Sequence, residues 1–472
     1  MQGAQTQSRY RGIGRYTLAF VKAVIRNAMS HEVVLVFNGQ LKDSIAPLRL
    51  EFAAMLPEER MLTWYAPSPL CTMIAENETR FEVAKIIREA FIKSLNPDVV
   101  HITSLFEGFA DDAVMSIGEF DTSSLVSVTL YDLIPLIYSD VYLKANPRHE
   151  AYYLRQVDYL KSADLHLAIS EFSRQEATKL LDLDPHRTLN KSSAVNTDFC
   201  STSIDVSTFK AVLTKFGINK RFFLYTGGAD TRKNLPRLVD AFVALKANEL
   251  AQLQLVFAGR MTDEFLSYVR SLGAKSRHII FTDYVTDAEL ICLYTQAECF
   301  VFPSWHEGFG LPALEAMSCG TAVIGADAAS LPEVIGLEEA LFDPFSIDSI
   351  RDALRKVAFD TDFRIRLEEH SRQRALHFSW DSTAKIALGG WEQLVSAKHS
   401  DDQATAILKS EDPMPVDGGI NDIAEVVSAL RLRGLLSANQ EELLAIAKCL
   451  DLNHPPKRAY PLPVFEAAAC VN

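Results

Sequence analysis

A chain of 472 residues and 52.6 kDa is too long for one hydrophobic core and is expected to divide into two or three units. Apolar residues at 48% and charged residues at 23% exclude global disorder and fibrous architectures. Lys plus Arg numbers 47 against 61 for Asp plus Glu, a balance of −14 that argues against nucleic acid as a general partner but allows a small phosphorylated ligand held by one local cation pair.

The opening MQGAQTQSRYRG is polar and does not read as a secretory signal. The seven cysteines are scattered without a CxxC pair, which suits reduced cytoplasmic thiols better than disulfides or a zinc site. The first recognisable feature is a glycine-containing turn, Arg11-Gly12-Ile13-Gly14-Arg15-Tyr16, with no strand before it. A doubly wound domain should open on a strand, so this start reads as lacking its first one, and an upstream extension of one strand is expected. Short β-branched runs follow at Val33–Phe37, Val99–Ile102, Leu125–Thr129 and Leu165–Ile169. The third leads into Thr129-Leu130-Tyr131-Asp132-Leu133-Ile134-Pro135-Leu136, where Tyr131 and Asp132 sit at a strand end. After the fourth, Ser170-Glu171-Phe172-Ser173 reads as helix capping near the cleft, and Ser173-Arg174-Gln175-Glu176 has the form of a capping box opening the helix. Residues 201–208, small and polar, are the expected interdomain linker.

The βα rhythm is clearest from residue 221, with strands expected at Phe222–Thr226, Leu253–Ala258, His278–Thr282, Cys299–Phe302, Thr321–Gly325 and Ala340–Phe342. Leu235, Leu238, Val239, Phe242 and Leu245 form one helical stripe between the first two. Parallel strands of this kind bind ligands at their carboxyl ends. Two such ends carry chemistry. In Tyr225-Thr226-Gly227-Gly228-Ala229-Asp230-Thr231-Arg232-Lys233-Asn234, the glycines allow close backbone approach, while Arg232 and Lys233 offer adjacent cations for phosphate. In the second, running from Pro303 to Gly320, Gly308 and Gly310 precede a helix in which Pro312 suits the first turn and Gly320 the stop. Free N–H groups there favour a phosphate. Glu307 and Glu315 can face one crevice and accept hydrogen bonds from vicinal hydroxyls of a sugar or ribose. Read as residues alone, this remains open against a plain strand–turn–helix joint. Likewise His306 beside Trp305 reads as packing, and the Asp-x-Asp pairs at 182–184 and 360–362 as joints between helices; no metal is expected. Beyond residue 397 the rhythm stops: Pro413, Pro415, Gly418 and Gly419 mark a linker, followed by helical patterns near 420–433 and 438–450.

Together these segments resemble family 4 of the retaining nucleotide-sugar glycosyltransferases. Glu307 and Glu315, within Glu-Gly-Phe-Gly-Leu-Pro-Ala-Leu-Glu-Ala, match that family's Glu-x7-Glu signature, and Ser330-Leu331-Pro332-Glu333-Val334 matches the turn that follows it. The resemblance covers about residues 1–396 and implies an α/β chain of two facing Rossmann-like domains, the GT-B fold. The expected division is an acceptor-side domain at 1–205, a nucleotide-sugar domain at 206–372, a crossover helix at 373–396 flanked by Trp380 and Trp391, and a linker with a helical extension at 397–472. By resemblance Glu307 contacts the donor sugar, Glu315 the ribose, and Arg232 and Lys233 the departing diphosphate. Gly227, Gly228, Gly308, Phe309, Gly310 and Leu311 line the donor, while Gly12, Gly14, Tyr131 and Asp132 face the cleft or acceptor. Two departures stand out: Gly227-Gly228 where many relatives have Gly-Arg, and Tyr131 where many have His.

The implied activity is retaining, metal-independent transfer of a hexose to a glycan or lipid-linked glycan in cell-surface polysaccharide synthesis, such as lipopolysaccharide O-antigen. The opening Gly-Ile-Gly-Arg-Tyr and Tyr-Asp-Leu-Ile-Pro resemble bacterial polysaccharide mannosyltransferases, which favours GDP-mannose as donor substrate, with no cofactor. A cytoplasmic location is expected, with peripheral contact to the inner membrane or a polysaccharide-assembly complex. A nucleotide-sugar epimerase and a degenerate donor-binding scaffold remain as alternatives: the first needs an acid/base pair not identified here, and the second draws on Gly228, Tyr131 and the absent strand.

Overall fold

The structure is a computed structural model that describes residues 1–10, 12–196, 199, 206–406, 421–436 and 440–453. The expected linker up to residue 205, the Pro/Gly linker near 413–419 and Arg11 lie outside the described residues.

The first domain contains parallel strands β1 (Leu35–Asn38), β2 (Met61–Trp64), β3 (Val99–Ile102), β4 (Leu125–Leu130), β5 (Leu165–Ala168) and β6 (Thr188–Asn190). They form two separate sheets, β1-β2 and β3-β4-β5-β6. β2 and β6 were not anticipated from sequence; both are short and only partly buried, so neither shows a sustained apolar run. The opening residues form two 3₁₀ turns, Gln2–Ala4 and Gln7–Tyr10, and lead into the helix Gly12–Asn27. Here the sequence reading is corrected, since Gly12 and Gly14 belong to the first turn of that helix and not to a loop. Gly14 is required by packing: a Cβ there would lie 2.3 Å from the Arg9 Cα.

Side-chain amides tie the first sheet to the segment that joins β3 to β4 in the second. Gln2 accepts from Asn38 Nδ2 (2.9 Å) and Val114 N (2.8 Å) and donates to Val114 O (2.6 Å). Gln5 accepts from Asn38 N (2.8 Å) and donates to Asn38 O (3.1 Å). All three residues are buried, and their mutual bonding removes the desolvation penalty of burying amides.

In the second domain β7 (Arg221–Thr226), β8 (Leu253–Ala258), β9 (Ile279–Phe281), β10 (Cys299–Phe302), β11 (Val323–Ala326) and β12 (Leu341–Phe342) make one six-stranded parallel sheet, order β12-β11-β10-β7-β8-β9. β8 and β10 are buried along their whole length, as expected for a sheet covered by helices on both faces. The helix Leu235–Val243 buries Leu235, Leu238, Val239 and Phe242, the stripe read from sequence; Leu245 lies just beyond its end but is also buried.

The long helix Trp380–Ala406 returns to the first domain. Trp380 stands edge-on to Tyr16 at 4.9 Å, Asp381 pairs with Arg26 at 2.8 Å, and Gly390 lets the helix approach Leu189. The helices Asn421–Leu432 and Gln440–Leu452 form the C-terminal extension. Val426 and Leu430 pack into the first domain's cluster around Trp64, Phe81 and Ile87. Asn453 accepts from Tyr65 N and donates to Tyr65 O, both at 2.7 Å.

The helix after β5 is Glu171–Leu181, capped by Ser170, whose Oγ accepts from Ser173 N at 2.9 Å. The expected capping box at 173–176 is therefore wrong by three residues: Ser173 lies within the first turn. The Asp-x-Asp pairs are helix punctuation, with Asp182 in the left-handed region after that helix and Asp360 capping Thr361–Ala375.

Candidate active site

β7 and β10 are neighbours, so the loops after them meet at one sheet edge. Gly227 takes φ 133°, which favours glycine, and its N–H donates to Ala258 O at 3.0 Å. Asp230 then caps a one-turn 3₁₀ helix, Thr231–Lys233, accepting from Arg232 N at 3.1 Å. Asn234 pins the end of this turn by donating to Pro303 O (3.0 Å) and Pro344 O (2.7 Å), and Trp305 N donates to Arg232 O (3.1 Å). The two loops are thus bonded into one unit.

That unit places Arg232 and Lys233 on opposite oxygens of Glu307, Nη1 to Oε2 at 3.1 Å and Nζ to Oε1 at 2.5 Å. Burial opposes ionisation of Glu307, but Lys233 and Arg232 outweigh it and hold the carboxyl below its ordinary range. From sequence both cations read as open towards phosphate; in the structure they neutralise this glutamate. An incoming diphosphate would compete with Glu307 for the same donors.

Glu315 stands in the helix Leu311–Ser318 and is held differently. Tyr294 donates to its Oε2 at 2.9 Å and lies 2.9 Å from Thr226 Oγ1. Burial pushes the Glu315 carboxyl up to about 7, with the Tyr294 bond acting in the opposite direction. Tyr294 carried no sequence signal, because a tyrosine within an apolar helix reads as core. The two glutamates therefore occupy unlike surroundings, one neutralised by cations and one held near its titration point by burial.

The glycines of the second loop work otherwise than expected. The space beside Gly308 is taken by Asp132 of the first domain, whose Oδ2 would lie 2.9 Å from an added Cβ. Gly308 O accepts from Ser170 Oγ (2.5 Å) and Ser173 Oγ (2.9 Å). Gly310 is fixed by φ 103° and by Leu331, 2.7 Å from a Cβ position, and it precedes Leu311 at the helix start. Phe309 is buried against Phe378, and no Cβ contact restricts Gly228. Ser330 fastens the loop from behind, donating to Glu307 O (3.0 Å) and Phe309 O (2.7 Å).

The first domain brings tyrosines and carboxylates to the boundary. Tyr131 packs edge-on to Tyr16 at 5.3 Å, and burial drives its hydroxyl far above the ordinary range. Asp132 accepts from Ile134 N at 3.2 Å, and burial raises its carboxyl. Glu333, in the turn matched from sequence, reaches across to accept from Glu171 N (3.0 Å) and Phe172 N (3.2 Å), serving as an N-terminal cap supplied by the other domain. His306 is more than packing: its ring nitrogens lie 3.2 Å from Tyr138 OH and 3.3 Å from Glu176 Oε1, both of the first domain.

Two parallel-sheet α/β domains closed on each other, with this cluster at the strand ends of the second, have the GT-B glycosyltransferase architecture. Residues 211–374 match the family Glycosyl transferases group 1, so the second domain is a group 1 glycosyltransferase domain. The chain is 33% identical over 431 residues to the serotype-specific mannosyltransferase WbdA of Escherichia coli, covering 90% of this chain and 51% of that protein. It therefore spans about half the length of these curated relatives. Among solved structures, a glycosyltransferase from Rickettsia africae ESF-5 superposes with TM-score 0.58 at 15% identity, covering 80% of this chain and 94% of that one. WaaG, a glycosyltransferase involved in lipopolysaccharide biosynthesis, does so with TM-score 0.55 at 16% identity, over 80% and 95%. At these identities the superpositions establish the fold alone.

Proposed function

We propose that the chain transfers a hexose, mannose from GDP-mannose in the first instance, to a glycan or lipid-linked glycan acceptor with retention at the anomeric carbon. The observation that carries this reading is the Arg232–Glu307–Lys233 cluster beside the start of the helix Leu311–Ser318. In this scheme the diphosphate draws Arg232 and Lys233 onto itself, freeing Glu307 to accept from donor-sugar hydroxyls, while Glu315 accepts from the ribose. The bond from C1 to the phosphate oxygen breaks as the acceptor hydroxyl attacks C1 from the same face, and the departing phosphate takes the hydroxyl proton. The two cations hold the charge that develops on the diphosphate. No metal ion or cofactor is invoked. The choice of mannose draws on the relative named a mannosyltransferase.

Among the described residues no helix is long and apolar enough to cross a membrane. A lipid-linked acceptor would bring this chain to the cytoplasmic face of the inner membrane, or to a polysaccharide-assembly complex, as a peripheral partner.

The test is a thermal-shift panel of GDP-, UDP-, ADP- and dTDP-sugars, followed by NMR of the product's anomeric configuration. GDP-mannose should give the largest upward shift, because a ligand bound only to the folded chain stabilises it. A larger shift with another donor would replace mannose or guanosine in this reading. Inversion at C1 would reject the same-face route.

A further inference from the structure

We propose that Tyr138 and Tyr142 are positioning residues with which the first domain braces Arg232 from two sides, through His306 and through Asp230. The segment that carries them follows β4 as two one-turn helices, Ile134–Ile137 and Ser139–Tyr142. Tyr142 N donates to Tyr138 O at 3.1 Å, so the two side chains stand one turn apart and project together towards the second domain.

Each tyrosine meets a group that already holds Arg232. Tyr142 OH lies 2.7 Å from Asp230 Oδ1 and 2.6 Å from Oδ2. The same Asp230 accepts from Arg232 N at 3.1 Å, and its Oδ1 is 3.5 Å from Arg232 Nε. On the other side Tyr138 OH is 3.2 Å from His306 Nδ1, with the rings edge-on at 5.5 Å. The main-chain carbonyl of His306 accepts from Arg232 Nη1 at 2.9 Å. The backbone N–H, Nε and one terminal nitrogen of Arg232 are thus fixed by two residues that the first domain grips. The start of this segment is anchored as well, since Asp132 accepts from Ile134 N and fills the space beside Gly308.

The arrangement makes the Arg232 geometry depend on domain closure. With the domains apart, Asp230 and His306 lose their tyrosine partners and the guanidinium loses its second layer of support. A cation aimed at a leaving group is effective when its orientation is set before the reaction, so the brace would link full catalytic power to the closed, water-excluding state. This consequence rests on the proposed role of Arg232 at the diphosphate; the brace itself rests on the contacts alone.

The test uses the full chain with Tyr142→Phe, Tyr138→Phe and the double substitution, which keep both rings and remove only the hydroxyls. Amide hydrogen exchange over residues 229–234, measured without ligand, should be about tenfold faster in the double variant, the size expected when a hydrogen bond to a charged group is lost. With GDP-mannose, kcat should fall about tenfold, while KM and the affinity for free GDP stay within about twofold, since the brace acts on the reacting state and not on the nucleotide. Tyr142→Phe should add little to Asp230→Asn if both act through one contact. Unchanged exchange in the double variant, or faster exchange with unaltered kcat, overturns the proposal. If the wild-type chain turns over no GDP-mannose, the donor reading fails, and the exchange result alone decides the brace.

Discussion

The two domains build the same kind of sheet by different means. The second runs six parallel strands without interruption, and its strand ends hold Arg232, Lys233, Glu307 and Glu315. The first divides its strands into sheets of two and four and ties them with the amides of Gln2, Gln5 and Asn38. Towards the cleft it presents mainly hydroxyls and backbone groups, Tyr138, Tyr142, Ser170, Ser173 and the start of the helix Glu171–Leu181, beside the charged side chains of Asp132, Glu176 and Arg15. On the proposed reading labour is divided: the second domain holds the charges that act on the donor, and the first closes over and orients them.

The sharpest attempt to break this division is Glu307→Gln against Asp132→Asn. Both side chains are carboxylates at the domain boundary, but only Glu307 stands between two cations. Its isosteric amide should lower kcat on the order of 10²–10³-fold, the range seen when one transition-state contact is removed. Binding of free GDP should be retained or tightened, because Arg232 and Lys233 lose their internal partner. Asp132→Asn should cost less, within about tenfold, since it removes a charge that burial already disfavours. Isothermal calorimetry and steady-state rates on both variants decide it, and a larger loss at Asp132 would move catalytic charge into the first domain.

The amide ties give the next effect, on stability. Asn38 has no solvent exposure; it donates through N and Nδ2, and its Oδ1 accepts from Gln40 N at 2.9 Å. Asn38→Ala would orphan buried groups at about 1–3 kcal/mol, and scanning calorimetry should show the first domain's transition several degrees lower. An unchanged melting profile would mean that the two sheets hold together without these amides.

The same contrast explains what could be read from sequence. Every strand of the second domain was visible, because β7, β8 and β10 are apolar runs flanked by helical stripes, and the loops after β7 and β10 carry charges at strand ends. In the first domain β2 and β6 leave no sustained apolar run, and Gly12 and Gly14 read as a loop although they start a helix. The Gln2–Gln5–Asn38 network is specified by three scattered polar residues with no periodicity, and Glu333 caps a helix 162 residues away in sequence, so neither leaves a local signature. At the site, Arg232, Lys233, Glu307 and Glu315 were legible. Their pairing with one another and with Tyr294, and the filling of Gly308 by Asp132, are products of tertiary packing and were not.

A smaller effect concerns Glu315 and pH. Its carboxyl, raised by burial from 4.5 to about 7, is neutral below that value and charged above it. If the charged form receives the ribose hydroxyls, GDP affinity should rise by up to about tenfold between pH 6 and 8, the worth of one charge-assisted bond, and Glu315→Gln should flatten the profile. Stability should move the opposite way. A carboxyl whose folded value is raised binds more protons in the folded state, so its contribution declines as pH climbs from 4.5 to about 7. Over that window Glu315→Gln should gain in melting temperature relative to wild type. A flat wild-type binding curve would remove Glu315 from the ribose.

The smallest expected effect probes a cation that the first domain extends towards the second. Arg15, in the first turn of the helix Gly12–Asn27, pairs with Asp287 of the second domain at 2.7 Å, with about half of each side chain exposed (49% and 58%). Exposed ion pairs contribute about 0.2–1 kcal/mol and are screened by salt. As a closure contact alone, Arg15→Ala and Asp287→Asn should each change kcat/KM by less than about fivefold, with the difference vanishing in high salt. Arg15 also lies close enough to Glu315 to favour its charged form. If Arg15→Ala were to cost 100-fold or more while Asp287→Asn remained mild, Arg15 would be a phosphate-binding cation in its own right. The division of labour would then fail at this helix, and the leaving group would be held from both sides of the cleft.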